Sequence, residues 1–375
     1  MFIKSSELTN RIFGLDLFRS LAIVLVLVAH TATFITGRVD HPLTICGFYG
    51  VEFFFVLSGF LIGTILLKVH NKEPNTSISS IRIFWIRRWF RTLPNYYLML
   101  FVYLTINLIT KHIFLLTDVK HLSYLVFLQN TFFTQPEFFN ISWSLSIEEW
   151  FYLTFPVILL LFQYFFSDKK TSFLATITTI IVGCLLGRLL MTLSGPRDWD
   201  GWYRKLMPLR LDGIAFGVLA AFGKFYYPNF WNRHAKFLSI LGITILINIF
   251  IVLYDQLLFT KDLINTGTFV KTYMFSINSL AIMLMIPFVS KIQTKVKLFS
   301  LLITITSLIS YSIYLVHPLI IGILIKLHLR NYSGGLLLWI ITFIVSYFQY
   351  TLFETKITKI REKLSGKNNS INVTN

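Results

Sequence analysis

An imidazole and a carboxylate held together make a general base that works near neutral pH. The sequence offers such a pair. His30 lies in an apolar stretch, Gly14 to Thr36, about six residues from its end, or roughly 9 Å at the helical rise. Glu148 lies about five residues into another stretch, which opens Trp143-Ser144-Leu145-Ser146-Ile147-Glu148-Glu149-Trp150-Phe151-Tyr152. That places it roughly 8 Å deep. With the two stretches entering from opposite sides the depths match, so the groups can meet. Ser144, Glu148 and Tyr152 recur every fourth residue and form one polar stripe on a helix. Glu149 faces away from that stripe and is assigned a structural part.

Arginines suggest a second chemistry. In Ser80-Ile81-Arg82-Ile83-Phe84-Trp85-Ile86-Arg87-Arg88-Trp89-Phe90-Arg91-Thr92-Leu93-Pro94, the guanidinium groups of Arg87, Arg88 and Arg91 fall within about 100° of one another on a helix. Apolar and aromatic residues occupy most of the remainder. Such a segment suits a helix lying on a membrane surface. Its arginines serve either attraction to anionic lipid or recognition of phosphate, whose oxygens match the guanidinium fork. Composition leaves both readings open.

Further ionisable groups lie within apolar stretches, where each is costly and therefore a functional candidate. Asp16 and Arg19 share one face of about 120° with Ser20, His30 and Thr31. Arg19 and His30 are eleven residues apart, roughly 16 Å. Glu52 precedes Ser58-Gly59 and Gly63, small residues that let another helix approach closely. Arg188, Arg210 and Asp212 follow. His317 stands before Pro318 and reads as a hydrogen-bonded histidine at a helix kink.

The elements that must position these groups are membrane helices. Hydrophobic residues make up 55% of the 375, and charged ones only 14%, against about 25% in soluble domains. A bilayer core needs about 20 apolar residues per helix. Spans are expected at 14–36, 48–67, 94–110, 143–166, 172–192, 206–223, 235–254, 271–290, 308–328 and 334–354, an all-α polytopic protein of about ten transmembrane helices. Segments 122–133 and 298–307 are expected to be interfacial or re-entrant. The first stretch is too long and too charged for a cleaved leader. Of the 34 Lys and Arg, 21 fall on the N-terminal side of this topology, nine on the other and four within spans. Cytoplasmic loops are rich in Lys and Arg, so both termini are expected in the cytoplasm. This asymmetry accounts for most of the net charge of +17 without a nucleic-acid partner. A basic tail, 356–375, is expected against anionic headgroups of membrane lipids. Cys46 and Cys184 suggest no disulfide, and no Cys/His spacing suggests a metal.

In order along the chain, these segments resemble the acyltransferase 3 family over roughly residues 10–355. The resemblance rests on Gly14-Leu15-Asp16-Leu17-Phe18-Arg19 with His30 ten intervening positions later, and on Val51-Glu52-Phe53-Phe54-Phe55-Val56-Leu57-Ser58-Gly59-Phe60. Arg88 and Arg91 match the family's RxxR pattern. Trp143 to Glu148, Arg210-Leu211-Asp212 and Ser310 to His317 complete the series. Glu52 departs from it, since many relatives carry Asp there. The resemblance implies a membrane-bound O-acyltransferase of the bacterial cytoplasmic (inner) membrane, of the stand-alone type. It implies transfer of an acyl group, commonly acetyl from acetyl-CoA, to a hydroxyl of an envelope or lipid-linked glycan, such as the O-antigen of lipopolysaccharide. His30 and Glu148 would then be catalytic. Arg19, Arg88 and Arg91 would bind the co-substrate. Asp16, Glu52, Arg210, Asp212 and His317 would form a supporting polar cluster. A transporter or a non-catalytic partner in glycan assembly is the alternative, because intramembrane charges also mark transport pathways.

Overall fold

A bilayer offers backbone groups no hydrogen bonds, so a spanning chain must satisfy them within a helix or a closed barrel. The computed structural model describes residues 11–38, 41–72, 77–111, 119–258 and 267–364, and no strand occurs among them. The principal helices are α1 (Phe13–Thr36), α2 (Thr44–Lys72), α3 (Ile78–Lys111), α4 (Ser142–Phe165) and α5 (Lys169–Leu193). They continue with α6 (Leu211–Tyr226), α7 (Ala235–Leu258), α8 (Met274–Val289), α9 (Lys297–Lys326) and α10 (Tyr332–Gln349). A π-helical turn, Tyr350–Glu354, joins α10 to α11 (Thr355–Leu364).

Each expected span coincides with one of the first ten helices. Eight helices among the described residues are long and apolar enough to cross a membrane. The exceptions, α6 and α8, have 16 residues each, about 24 Å against a hydrocarbon core of about 30 Å. The span expected from 206 starts late for a visible reason. A 3₁₀ turn, Met207–Leu209, ends at Arg210, whose φ of −126° and ψ of 3° are not helical.

Two expectations are corrected. The segment 298–307 is not re-entrant but the first part of the 30-residue α9. The amphipathic segment 80–94 is not a separate surface helix but the opening of the 34-residue α3, with Pro94 inside. Proline removes one helical hydrogen bond, yet membrane helices tolerate it where neighbours compensate. Segment 122–133 leaves the helical pattern after Val119–Leu122 and a 3₁₀ turn, Ser123–Val126. The expected tail is helical to Leu364; its remainder lies outside the described residues. The two cysteines are unpaired.

Helix α2 sits at the centre: 72% of its most apolar window is buried, against 22% for α7, whose apolar side chains are largely exposed. The small residues of α2 decide its packing. A methyl group added at Gly59 would stand 1.9 Å from the Ile214 carbonyl oxygen, and one at Gly217 2.0 Å from that of Val56. The backbones of α2 and α6 therefore touch. This close approach is the one expected from Ser58-Gly59, and dispersion contacts of this kind drive helix association in lipid.

Candidate functional site

The polar face of α1 is turned inward onto α9 and α10. Asp16 accepts hydrogen bonds from Arg11 and, at 2.7 Å, from Ser307. Ser20 donates to the Ile303 carbonyl at 2.8 Å. Thr31 accepts from the Trp339 indole at 3.0 Å.

Beside this face lies a cavity of about 270 Å³ among α1, α2, α3, α4, α9 and the Tyr350–Glu354 turn. Its wall includes Arg19, Arg88 and Arg91, the three arginines expected to act together. None of their guanidinium groups has a hydrogen bond or a carboxylate partner at ion-pair distance among the described residues. Arg88 lies 5.7 Å over the Tyr152 ring. Arg19 and Arg88 are half-buried and Arg91 is exposed. A half-buried guanidinium without an anion is unfavourable, so the part of the wall formed by Arg19 and Arg88 suits an anionic ligand, and Arg91 stands beside it.

Glu148 also lines the cavity. It accepts hydrogen bonds from Ser58 at 3.1 Å and Tyr152 at 3.0 Å. The i, i+4 stripe on α4 thus makes a real contact, and α2 adds a hydroxyl through Ser58. Glu149 is buried outside the cavity and accepts from Thr92 at 2.7 Å. At the far end Ser144 and Tyr314 share a hydrogen bond of 2.7 Å, and Tyr314 donates to the Ile141 carbonyl at 3.0 Å.

His30 does not line the cavity, and it shares no hydrogen bond with Glu148. Its ring meets His317 instead, edge to face, with centroids 4.7 Å apart. His317 in turn lies 5.9 Å from the Tyr314 ring. The expected meeting of His30 and Glu148 fails because Glu148 turns toward α2, while α9 places His317 against α1. A chain of contacts still links them: cavity wall, Tyr314, His317, His30. Both histidines are oriented by backbone. Nδ1 of His30 donates to the Val26 carbonyl at 2.8 Å, and Nδ1 of His317 to that of Ile313 at 3.0 Å. A carbonyl can only accept, so in the neutral rings Nε2 carries the lone pair. That is the state a general base needs.

The expected supporting cluster divides into four. Asp16 stays with Arg11 and Ser307 at the opening of α1. Glu52 on α2 forms a fully buried ion pair with Arg210. Asp212 pairs at 2.7 Å with Arg188, also fully buried, and accepts from Ser276 at 2.7 Å. The two pairs flank Phe275, whose ring lies 4.1 Å from the Arg210 guanidinium and 5.7 Å from that of Arg188. His317 belongs with His30.

Sequence reasoning missed Glu354 and Asn95, which line the same cavity. Both Asn95 and Ser312 donate to Glu354 Oε1. The available signal was a carboxylate ending an apolar span and an amide directly after Pro94. It also missed Arg204, which stacks 5.2 Å over Trp143 and pairs with Asp200 at 2.5 Å.

Several relatives match this chain in sequence. A Staphylococcus aureus protein named Putative O-acetyltransferase is 29% identical over 372 residues, covering 92% of this chain and 57% of the relative. The O-acetyltransferase OatA of Staphylococcus aureus is 27% identical over 261 residues, 65% of this chain and 41% of OatA. Putative peptidoglycan O-acetyltransferase YrhL of Bacillus subtilis is 32% identical over 183 residues, 46% of this chain and 27% of YrhL. The chain therefore spans less than two thirds of the length of these curated relatives. No solved structure matches it significantly. A family model described as an acyltransferase domain matches residues 12–350, almost the whole helical bundle, and by that match the chain belongs to the acyltransferase 3 family.

Proposed function

We propose that this chain is an integral membrane O-acetyltransferase that moves acetyl from acetyl-CoA to a hydroxyl of a cell-envelope glycan. The observation that carries this reading is the cavity. Three guanidinium groups without a hydrogen-bond or carboxylate partner among the described residues stand in its wall. Tyr314 at its far end adjoins the His317–His30 pair, whose Nε2 atoms have no hydrogen bond among the described residues. The phosphates of the donor would lie on Arg19, Arg88 and Arg91. The acyl end would extend past Glu148 and Tyr314 toward His317 and His30. Basic residues favour the side of Arg88 and Arg91 as cytoplasmic, where acyl-CoA is available, in the bacterial cytoplasmic membrane.

In this reaction His30 Nε2 takes the proton of the acceptor hydroxyl as its oxygen attacks the thioester carbonyl. The C–O bond forms, the C–S bond breaks, and the thiolate leaves with the proton that the imidazolium returns. Positioning the two reactants contributes much of the acceleration. Glu148 acts from the cavity side, where Ser58 and Tyr152 fix its carboxylate. The relatives' names support O-acetylation, and one names peptidoglycan. We therefore place peptidoglycan beside the lipopolysaccharide O-antigen as acceptors to assay.

The test is transfer of labelled acetyl from acetyl-CoA to isolated envelope glycan by purified protein in lipid. His30→Ala should lose roughly 10²–10⁴-fold in rate, the worth of a general base, while inserting normally. A variant that keeps more than about a tenth of the rate would show that His30 is not the base.

A further inference from the structure

A carboxylate in an anion-binding cavity opposes the binding of phosphate, so its presence needs an account. Glu354 is held there by contacts from separate elements. Asn95 of α3 and Ser312 of α9 both donate to its Oε1. Gln349 of α10 in turn donates to Asn95 Oδ1 at 3.0 Å, which fixes the amide's direction. The backbone contributes as well. Glu354 ends the π-helical turn Tyr350–Glu354 between α10 and α11. Such turns are rare and occur frequently at functional sites. Both donors use Oε1, and Oε2 accepts no hydrogen bond among the described residues, although Glu354 lines the cavity.

Position along the cavity narrows what Oε2 can meet. Asn95 lies four residues beyond Arg91 on α3, about 6 Å further along the helix. Ser312 lies two residues before Tyr314, which marks the far end. Glu354 thus stands between the arginines and the end toward the histidines. A phosphate ligand alone would gain nothing from it. A ligand with a phosphate at one end and amide N–H groups along its length would gain a charge-assisted hydrogen bond.

We propose that Glu354 Oε2 accepts a hydrogen bond from an amide N–H of the pantetheine arm and so selects a CoA thioester over other phosphate-bearing ligands. The inference rests on the reading of the cavity as the donor site. The test is calorimetric titration of purified protein with CoA, with adenosine 3′,5′-bisphosphate and with pantetheine, comparing wild type and Glu354→Gln. The substitution keeps an oxygen for Asn95 and Ser312 but turns an NH₂ toward the cavity. CoA and pantetheine should bind about tenfold more weakly, the worth of one hydrogen bond to a charged group. The bisphosphate should bind as before or more tightly. Ser312→Ala, which frees one tether of Glu354, should shift the same values in the same direction by about two- to threefold. An equal loss for all three ligands would make Glu354 a structural residue and overturn the proposal. Unchanged or tighter CoA binding would overturn it too. Failure of the wild type to bind CoA at all is a separate result, which would remove the donor reading itself.

Discussion

Exchanging Glu52 for Gln should destabilise the bundle by about 3 kcal/mol, because it strips a buried cation of the carboxylate at ion-pair distance from it. The Arg210 side chain is 0% exposed and that of Glu52 1%. The other contacts of Arg210 are weak. Among the described residues they are the Arg204 carbonyl at 3.3 Å and the Phe275 and Phe55 rings at 4.1 and 5.9 Å, while its buried Nε meets no acceptor. Removing one partner of a buried ion pair costs about 3–5 kcal/mol. Gln keeps one hydrogen-bonding oxygen, which places the cost at the lower end. About 3 kcal/mol is more than a hundredfold in the unfolding equilibrium. The assay is sodium dodecyl sulfate unfolding in mixed micelles, followed by the fluorescence of the eight tryptophans. Removing both charges with Glu52→Gln/Arg210→Met should recover much of the loss, since no unpaired ion remains buried. A single variant within about 0.5 kcal/mol of wild type, the usual effect of a surface change, would refute the reasoning. So would a double variant no more stable than the single.

Glu148→Gln should slow transfer far more than Glu149→Gln, because only Glu148 lines the cavity; equal losses or the reverse order would show that the wrong carboxylate has been chosen. A cysteine introduced at Ser79, with Cys46 and Cys184 replaced by serine, should resist an impermeant thiol reagent added to whole cells. One introduced in the 193–205 loop should react. Label at position 79 would invert the topology and move the donor site to the wrong side of the membrane.

Much of the fold could be read from composition because a bilayer permits so little else. The apolar stretches had to be helices, and Gly59 had to serve close packing. Boundaries failed where the local chain gave mixed signals. Pro94 and the amphipathic face of 80–94 read as an interruption, whereas α3 runs through both. The arginines could be grouped by their spacing on one helix and by their side of the membrane. What could not be read was rotation about helix axes. Matching depths brought His30 and Glu148 to the same level, but depth does not say which neighbour a side chain faces. Glu148 faces Ser58, and His30 faces His317 across α1 and α9. Glu354 was hidden for a related reason: only the π-helical turn carries it into the cavity, and apolar periodicity does not announce such a turn. Glu52 and Arg210 are 158 residues apart, a pairing that only the packed bundle reveals.

The account stands on the cavity as a donor site, and Arg88 and Arg91 test it most directly. A guanidinium binds phosphate through two parallel hydrogen bonds, which the single ammonium of lysine cannot reproduce. Attraction to anionic lipid would require only the charge, which lysine keeps. Acetyl-CoA should therefore be titrated calorimetrically into purified wild type, Arg88→Lys and Arg91→Lys. The account predicts a saturable heat for the wild type and at least about tenfold weaker binding for each lysine variant, one hydrogen bond to a charged group lost. Lysine variants that bind acetyl-CoA as tightly as the wild type would contradict it and make the arginines a membrane anchor.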